Sequence, residues 1–198
     1  LHGATLKKLF EYVAGHLDML VDVIITDGSE PIGRGIGPIL EARDVMSVLE
    51  NDPNAPQDLR EKSIDLAGRI IEFDPKVRGG EGYKIAEEIL NGGKALDKMN
   101  RIMDAQGRRQ QKEPGPLVRE IPVPKNGRIE SYDNHLLAKF AKLAGAPEDT
   151  GAGLYILKRV GEKVKKGEPV FRVYAEQEAD LGYAMEYWET HKKMIEVV

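Results

Sequence analysis

The sequence contains no cysteine in 198 residues. Disulfides and thiolate metal sites are therefore excluded within it. It also lacks any run of about 18 apolar residues, the length that spans a bilayer, and no secretory signal is expected. These absences lead to the expectation of a cytoplasmic protein without a membrane partner. A basic excess is missing too. The 29 Lys and Arg residues are outnumbered by 33 Asp and Glu, leaving a net charge of −4, which argues against nucleic acid as a main partner. With 4 histidines at unrelated spacings, no metal-binding pattern and no Ser/His/Asp set can be assembled. No Gly-Lys-Ser/Thr phosphate loop occurs. The chain opens Leu1-His2-Gly3-Ala4 without methionine, and a processed, truncated or partial start is expected.

What is present is organised around Val21 to Leu49, VDVIITDGSEPIGRGIGPILEARDVMSVL. Val21 to Thr26 are apolar and β-branched apart from Asp22, the pattern of a strand buried on both faces in a parallel sheet. Gly28, Pro31, Gly33, Gly35 and Gly37 then form a compact loop. Pro38 suits the first turn of a helix, and Ile39, Leu40, Ala42, Val45, Met46 and Leu49 recur at helical spacing. The glycines do not make a dinucleotide fingerprint, because position 38 is proline. They read as a structural loop that lets backbone approach another segment.

Before this unit, Thr5 to Met19 reads as an amphipathic helix. After it, Asn54 and Gln57 resemble a capping box, opening a helix whose face runs from Leu59 to Ile71. Two further helices are expected at Tyr83 to Leu90 and Ala95 to Ala105. The polar run GRRQQKEPG, Gly107 to Gly115, has no apolar period and holds the linker expected at residues 108–115. Beyond it the period becomes two. Leu117 to Val123 and Arg128 to Tyr132 flank an Asn126-Gly127 hairpin signal. Asp133 or Asn134 is placed to cap a helix over Leu136 to Ala144. Strands at Leu154 to Leu157 and ending at Val170 to Tyr174, a helix at Glu178 to His191 and a short strand from Met194 complete the chain. The expected fold class is α/β over residues 1–107, the C-terminal part of a large mixed-sheet domain. A small α+β domain with antiparallel strands follows at 116–198.

The run TDGSEPIGRGIGPILEARDVM resembles the proline–aliphatic–glycine loop of the thymidine and pyrimidine nucleoside phosphorylases, most of all their archaeal relatives, the AMP phosphorylases. The segment GAGLYILKRVGEKVKKGEPVFRVYAE is similar to the same family's C-terminal β domain. The resemblance runs from about Leu6 to the C-terminus. It implies the C-terminal part of a longer enzyme that cleaves a nucleoside or nucleoside monophosphate with phosphate and forms homo-oligomers. For an AMP phosphorylase the products are ribose 1,5-bisphosphate and adenine. It also implies a monovalent-cation site built from the carbonyls of Ile32 and Gly35 and the carboxylate of Asp44, where Asp replaces the family's Glu. No other cofactor is implied. The family's phosphate loop, base-contacting residues and proton donor match no position here, so no catalytic or substrate-binding residue is assigned and the isolated chain is expected to be inactive. Two other readings stand beside this one: a non-catalytic oligomerisation or interaction module, and a carrier domain using Lys165 or Lys166. For the latter the modification motif is absent.

Overall fold

The computed structural model describes residues 2–110 and 112–198; Leu1 and Gln111, the latter within the expected linker, lie outside the described residues. The chain is a mixed α/β structure with two small antiparallel sheets. Its first half is helical. Helix α1 spans His2–His16, α2 Pro38–Leu49, α3 Gln57–Ile71, α4 Glu81–Asn91 and α5 Lys94–Ala105. A two-residue strand, β1 at Gly35–Ile36, precedes α2. The second half holds β2 (Leu117–Pro122), β3 (Gly127–Tyr132), α6 (Asn134–Leu143), β4 (Gly153–Ile156), β5 (Lys163–Val164), β6 (Pro169–Ala175), α7 (Glu178–Thr190) and β7 (Ile195–Val197). No helix among the described residues is long and apolar enough to cross a membrane.

Spacing explains the helical packing. In α2 the buried residues are Leu40, Asp44 and Val48, and in α4 they are Gly82, Ala86 and Leu90; steps of four stack on one helix face. Val48, Ala55, Ile64, Ala86 and Leu90 form a small core there. Helices α3 and α4 cross at Gly68 and Gly82, where a Cβ on Gly68 would meet the Tyr83 amide nitrogen at 2.7 Å. Asn54 does not cap α3: the helix starts at Gln57 behind Pro56, while Asn54 turns back on Asp52 through its own N–H at 2.8 Å. The expected capping box is thus replaced by an Asx turn.

The larger core lies in the second half, where Phe140, Phe171, Leu137, Leu154 and Ile121 are fully enclosed. One sheet runs β1-β4-β6-β2 and the other β5-β3-β7, every ladder among the described residues being antiparallel. Asp133 caps α6 as its sequence suggests, accepting from the amides of His135 and Leu136. The hairpin expected at Asn126-Gly127 does not form. Strand β2 pairs with β6, and β3 with β5 and β7. Pro122 and Pro124 carry no N–H for a β2–β3 ladder, Val123 N–H donates to Glu168 O at 2.8 Å, and the Asn126 side chain accepts from the Lys166 amide at 2.7 Å.

The strand expected at Val21 to Thr26 is also absent. The segment is not in a sheet and its side chains are exposed or only half-buried. A strand exists only against neighbours that take its N–H and C=O groups, and among the described residues no backbone group pairs with it here. Residues 107–110 and 112–116 contain neither helix nor strand.

Candidate functional site

The loop Ser29 to Gly37 sits where the helices meet the larger sheet. Gly33 adopts φ 75°, a left-handed conformation that glycine enters without strain. The turn aims three consecutive amides at two carboxylates. Gly33 N–H donates to Asp58 Oδ2 at 2.9 Å, and Arg34 and Gly35 donate to Asp44 Oδ2 at 2.6 and 2.7 Å. Asp44 is the one buried charged residue among those described. Its burial is supportable because its carboxylate accepts two charge-assisted bonds. Glu41, one turn earlier, accepts from Gly37 N–H at 3.0 Å, which closes the start of α2.

Arg159, on the turn after β4, fastens the loop from the other side. Its guanidinium donates to Glu30 Oε1 at 2.9 Å and to Asp58 Oδ2, and to the carbonyls of Pro31 and Gly33. Glu30 uses its other oxygen to accept from Val160 N–H at 3.0 Å. Two carboxylates thus compensate one largely buried guanidinium. Beneath them the Tyr132 hydroxyl donates to Lys158 O at 2.6 Å. Burial pushes that phenol well above its ordinary range, with Glu30 and Glu162 adding repulsion.

Strand β1 makes the loop part of the sheet. Ile156 N–H donates to Arg34 O at 2.8 Å, and Gly35 lies opposite Tyr155. Because the 34/156 pair is the hydrogen-bonded one, Gly35 turns its own N–H and C=O away from β4. Gly37 and Gly153 let the two backbones approach: a Cβ on either would strike the carbonyl oxygen of Ala152 or Ile36 respectively. The Tyr155 hydroxyl is also shifted upward, first by burial and then by nearby Asp44.

Ile32, Gly35 and Asp44 line one open cavity of about 600 Å³ together with Glu41, Lys62 and Asn134. A hard cation takes several oxygens. Asp44 Oδ2 is already engaged by two amides, and the carbonyls of Pro31 and Gly33 are taken by Arg159. The oxygens left are those of Ile32 and Gly35 and Asp44 Oδ1. Among the described residues no group of three His, Asp or Glu side chains could hold a metal.

Lys165 and Lys166 lie on an exposed turn between β5 and β6, their amides closed by Glu168 and Asn126. Arg108 pairs with Asp104 at 2.7 Å within the polar stretch. Sequence reasoning missed Arg159, Glu30 and Asp58. Their partnership spans 101 to 129 residues and leaves no local period to read.

Residues 128–194 match the family model described as the pyrimidine nucleoside phosphorylase C-terminal domain. Three curated relatives are named "Putative thymidine phosphorylase". The protein of Methylococcus capsulatus is 55% identical over 187 residues, 94% of this chain and 36% of the relative. That of Albidiferax ferrireducens is 52% identical over 183 residues, 90% of this chain and 35% of the relative. That of Rhodopseudomonas palustris is 50% identical over 186 residues, 91% of this chain and 36% of the relative. The chain therefore spans about a third of the length of the relatives it matches.

Proposed function

We infer that this chain is the C-terminal portion of a pyrimidine nucleoside phosphorylase, carrying the glycine-loop junction and not the reaction centre. The observation that carries this reading is the 55% identity over 187 residues to the Methylococcus protein, reinforced by the independent family match at 128–194. In phosphorolysis, phosphate oxygen forms a bond to the anomeric carbon as the bond from that carbon to the base nitrogen breaks. The base leaves with a proton, and the sugar keeps the phosphate. Such a reaction needs preorganised charge around an oxocarbenium-like transition state and a donor for the leaving base. The site in this chain offers neither. Its carboxylates are committed to backbone amides and Arg159. Its role is to hold the glycine loop in one shape beside a reaction centre contributed by other polypeptide.

The relatives' names favour thymidine as the parent substrate. The loop TDGSEPIGRGIGPILEARDVM favours AMP, by its likeness to the archaeal enzymes. A monovalent cation held by Ile32 and Gly35 carbonyls and Asp44 Oδ1 belongs to the same reading, and it would fix the loop by neutralising converging oxygens. Crystals grown in a thallium(I) salt are expected to show anomalous density between these oxygens; its absence removes the cation.

The test of function has two arms. The 198-residue chain, given phosphate with thymidine or with AMP, is expected to release no base, and measurable release overturns the assignment of the chemistry elsewhere. The intact Methylococcus protein is expected to be active with phosphate. Thymine release marks a pyrimidine enzyme, and adenine with ribose 1,5-bisphosphate marks an AMP enzyme. Inactivity with both defeats the phosphorylase reading.

A further inference from the structure

A second cleft lies between α2 and the outer face of the larger sheet. Tyr155, Arg172 and Tyr174 alternate with the enclosed Leu154, Ile156, Phe171 and Val173, so they stand on the face turned away from the main core. Gly35 shares that face opposite Tyr155, and α2 seats on it: a Cβ at Gly35 would meet the Leu40 carbonyl carbon at 2.5 Å. The space left beside this seat is about 350 Å³. Arg43 and Ser47 enter it from successive turns of α2, Asp52 and Asn54 from the turn that follows, and Tyr155 and Arg172 from β4 and β6.

The polar groups of this cleft are only partly used. Arg43 commits one terminal nitrogen to Glu113, and Arg172 commits one to Glu120 at 2.7 Å, with Tyr174 also beside it. A guanidinium carries five N–H donors, so donors remain on both. Glu113 and Glu120 are exposed, and exposed ion pairs are weak enough for a ligand to displace. Asp44 on the same wall already has its charge met by the Arg34 and Gly35 amides. Burial keeps the Tyr155 phenol protonated beyond the ordinary tyrosine range, and among the described residues its hydroxyl has no hydrogen-bond partner. Asp52 Oδ1 accepts from the Asn54 backbone and side chain. Its Oδ2 and the Asn54 side-chain oxygen accept nothing among the described residues. One end of the cleft therefore offers guanidinium donors and the other offers open acceptors.

We propose that this cleft binds a small phosphorylated sugar, its phosphate on Arg43 and Arg172 and its hydroxyls on Asp52, Asn54 and Tyr155. The guanidinium fork matches phosphate oxygens, and carboxylate and amide oxygens take sugar hydroxyls. The volume is that of a site for one small molecule. A ligand held there bridges α2 to β6 and stiffens the junction that shapes the glycine loop. The assignment rests on the cleft alone and is independent of the phosphorylase reading.

Calorimetric titration of the 198-residue chain with ribose 5-phosphate, inorganic phosphate and ribose tests it. One-site binding of ribose 5-phosphate is expected, about 10-fold or more tighter than that of phosphate or ribose. Arg43→Gln and Arg172→Gln should each weaken it by about 10-fold or more, while Lys165→Gln, on the exposed turn between β5 and β6, should leave it unchanged. Absence of binding overturns the proposal, as does full affinity in either arginine variant. Equal affinity for inorganic phosphate also overturns it, leaving an anion site without sugar recognition. A measurement that needs no variant is the map of amide NMR shifts on adding ribose 5-phosphate. Shifts at Ser47, Asn54, Tyr155 and Arg172 support the site, and shifts confined to other residues overturn it.

Discussion

Arg159 and Asp58 meet across 101 residues of sequence, and the same carboxylate oxygen that receives the guanidinium also receives the Gly33 amide at 2.9 Å. One atom thereby ties the turn after β4, the start of α3 and the glycine loop together.

Replacing Arg159 should be costly, because Glu30 and Asp58 would be left facing each other with the carbonyls of Pro31 and Gly33 unserved. We expect Arg159→Ala to lower stability by about 2–4 kcal/mol, read from the urea midpoint. Arg159→Lys should recover only part, since one ammonium cannot serve acceptors spread over a guanidinium fork. An unchanged midpoint in the alanine variant would remove the network from the account of the junction.

Gly153 has φ 149° and no room for a Cβ beside Ile36 O. Gly153→Ala is expected to cost about 3 kcal/mol or more, by strain and by forcing β1 off β4. Faster exchange of the Ile156 amide, which is bonded to Arg34 O, would locate the damage.

Two helical glycines should respond with opposite sign. Gly182 in α7 has open space around its Cβ position, so Gly182→Ala should gain about 0.5–1 kcal/mol from helix propensity. The same change at Gly68 should destabilise, since its Cβ would press on the Tyr83 nitrogen at 2.7 Å. Melting temperatures of the two variants, moving in opposite directions, are the check.

Stability should fall in alkaline solution. An unfolded tyrosine ionises near pH 10, while burial, with Glu30 and Glu162, lifts the Tyr132 phenol above that. Tyr155 is lifted likewise by burial and Asp44. A raised folded value means the contribution is intact below about pH 10 and is lost as pH climbs toward the folded value. Tyr132→Phe should lose about 1 kcal/mol at neutral pH with its 2.6 Å bond to Lys158 O, and should show a shallower alkaline decline. Urea midpoints between about pH 8 and 11 measure both effects.

Much of the fold could be read where its cause is local. Pro38 and the helical spacing of Ile39, Leu40, Ala42, Val45, Met46 and Leu49 announce α2, and Asp133 announces α6 by capping it. The glycine loop was legible as a place of close backbone approach, which Gly37 and Gly153 fulfil. Strand β1 was not, because two residues, one of them glycine, carry no strand signal and gain their conformation from Leu154 and Tyr155 far along the chain. The hairpin failed because Asn126-Gly127 advertises a turn but says nothing of what the flanking strands will pair with. The strand at Val21 to Thr26 shows the same limit: composition states what a segment can bury, and only its neighbours decide whether it does. At the site, Asp44 was named through the resemblance as a cation ligand, and its hold on the Arg34 and Gly35 amides was not foreseen, while Arg159 lay hidden in an ordinary Lys-Arg-Val stretch.

Because β1 is woven into the sheet, the polar stretches at 107–110 and 112–116 are not what keeps the two halves together. A protease cutting there should yield two pieces that travel as one particle, parting only when the sheet itself melts.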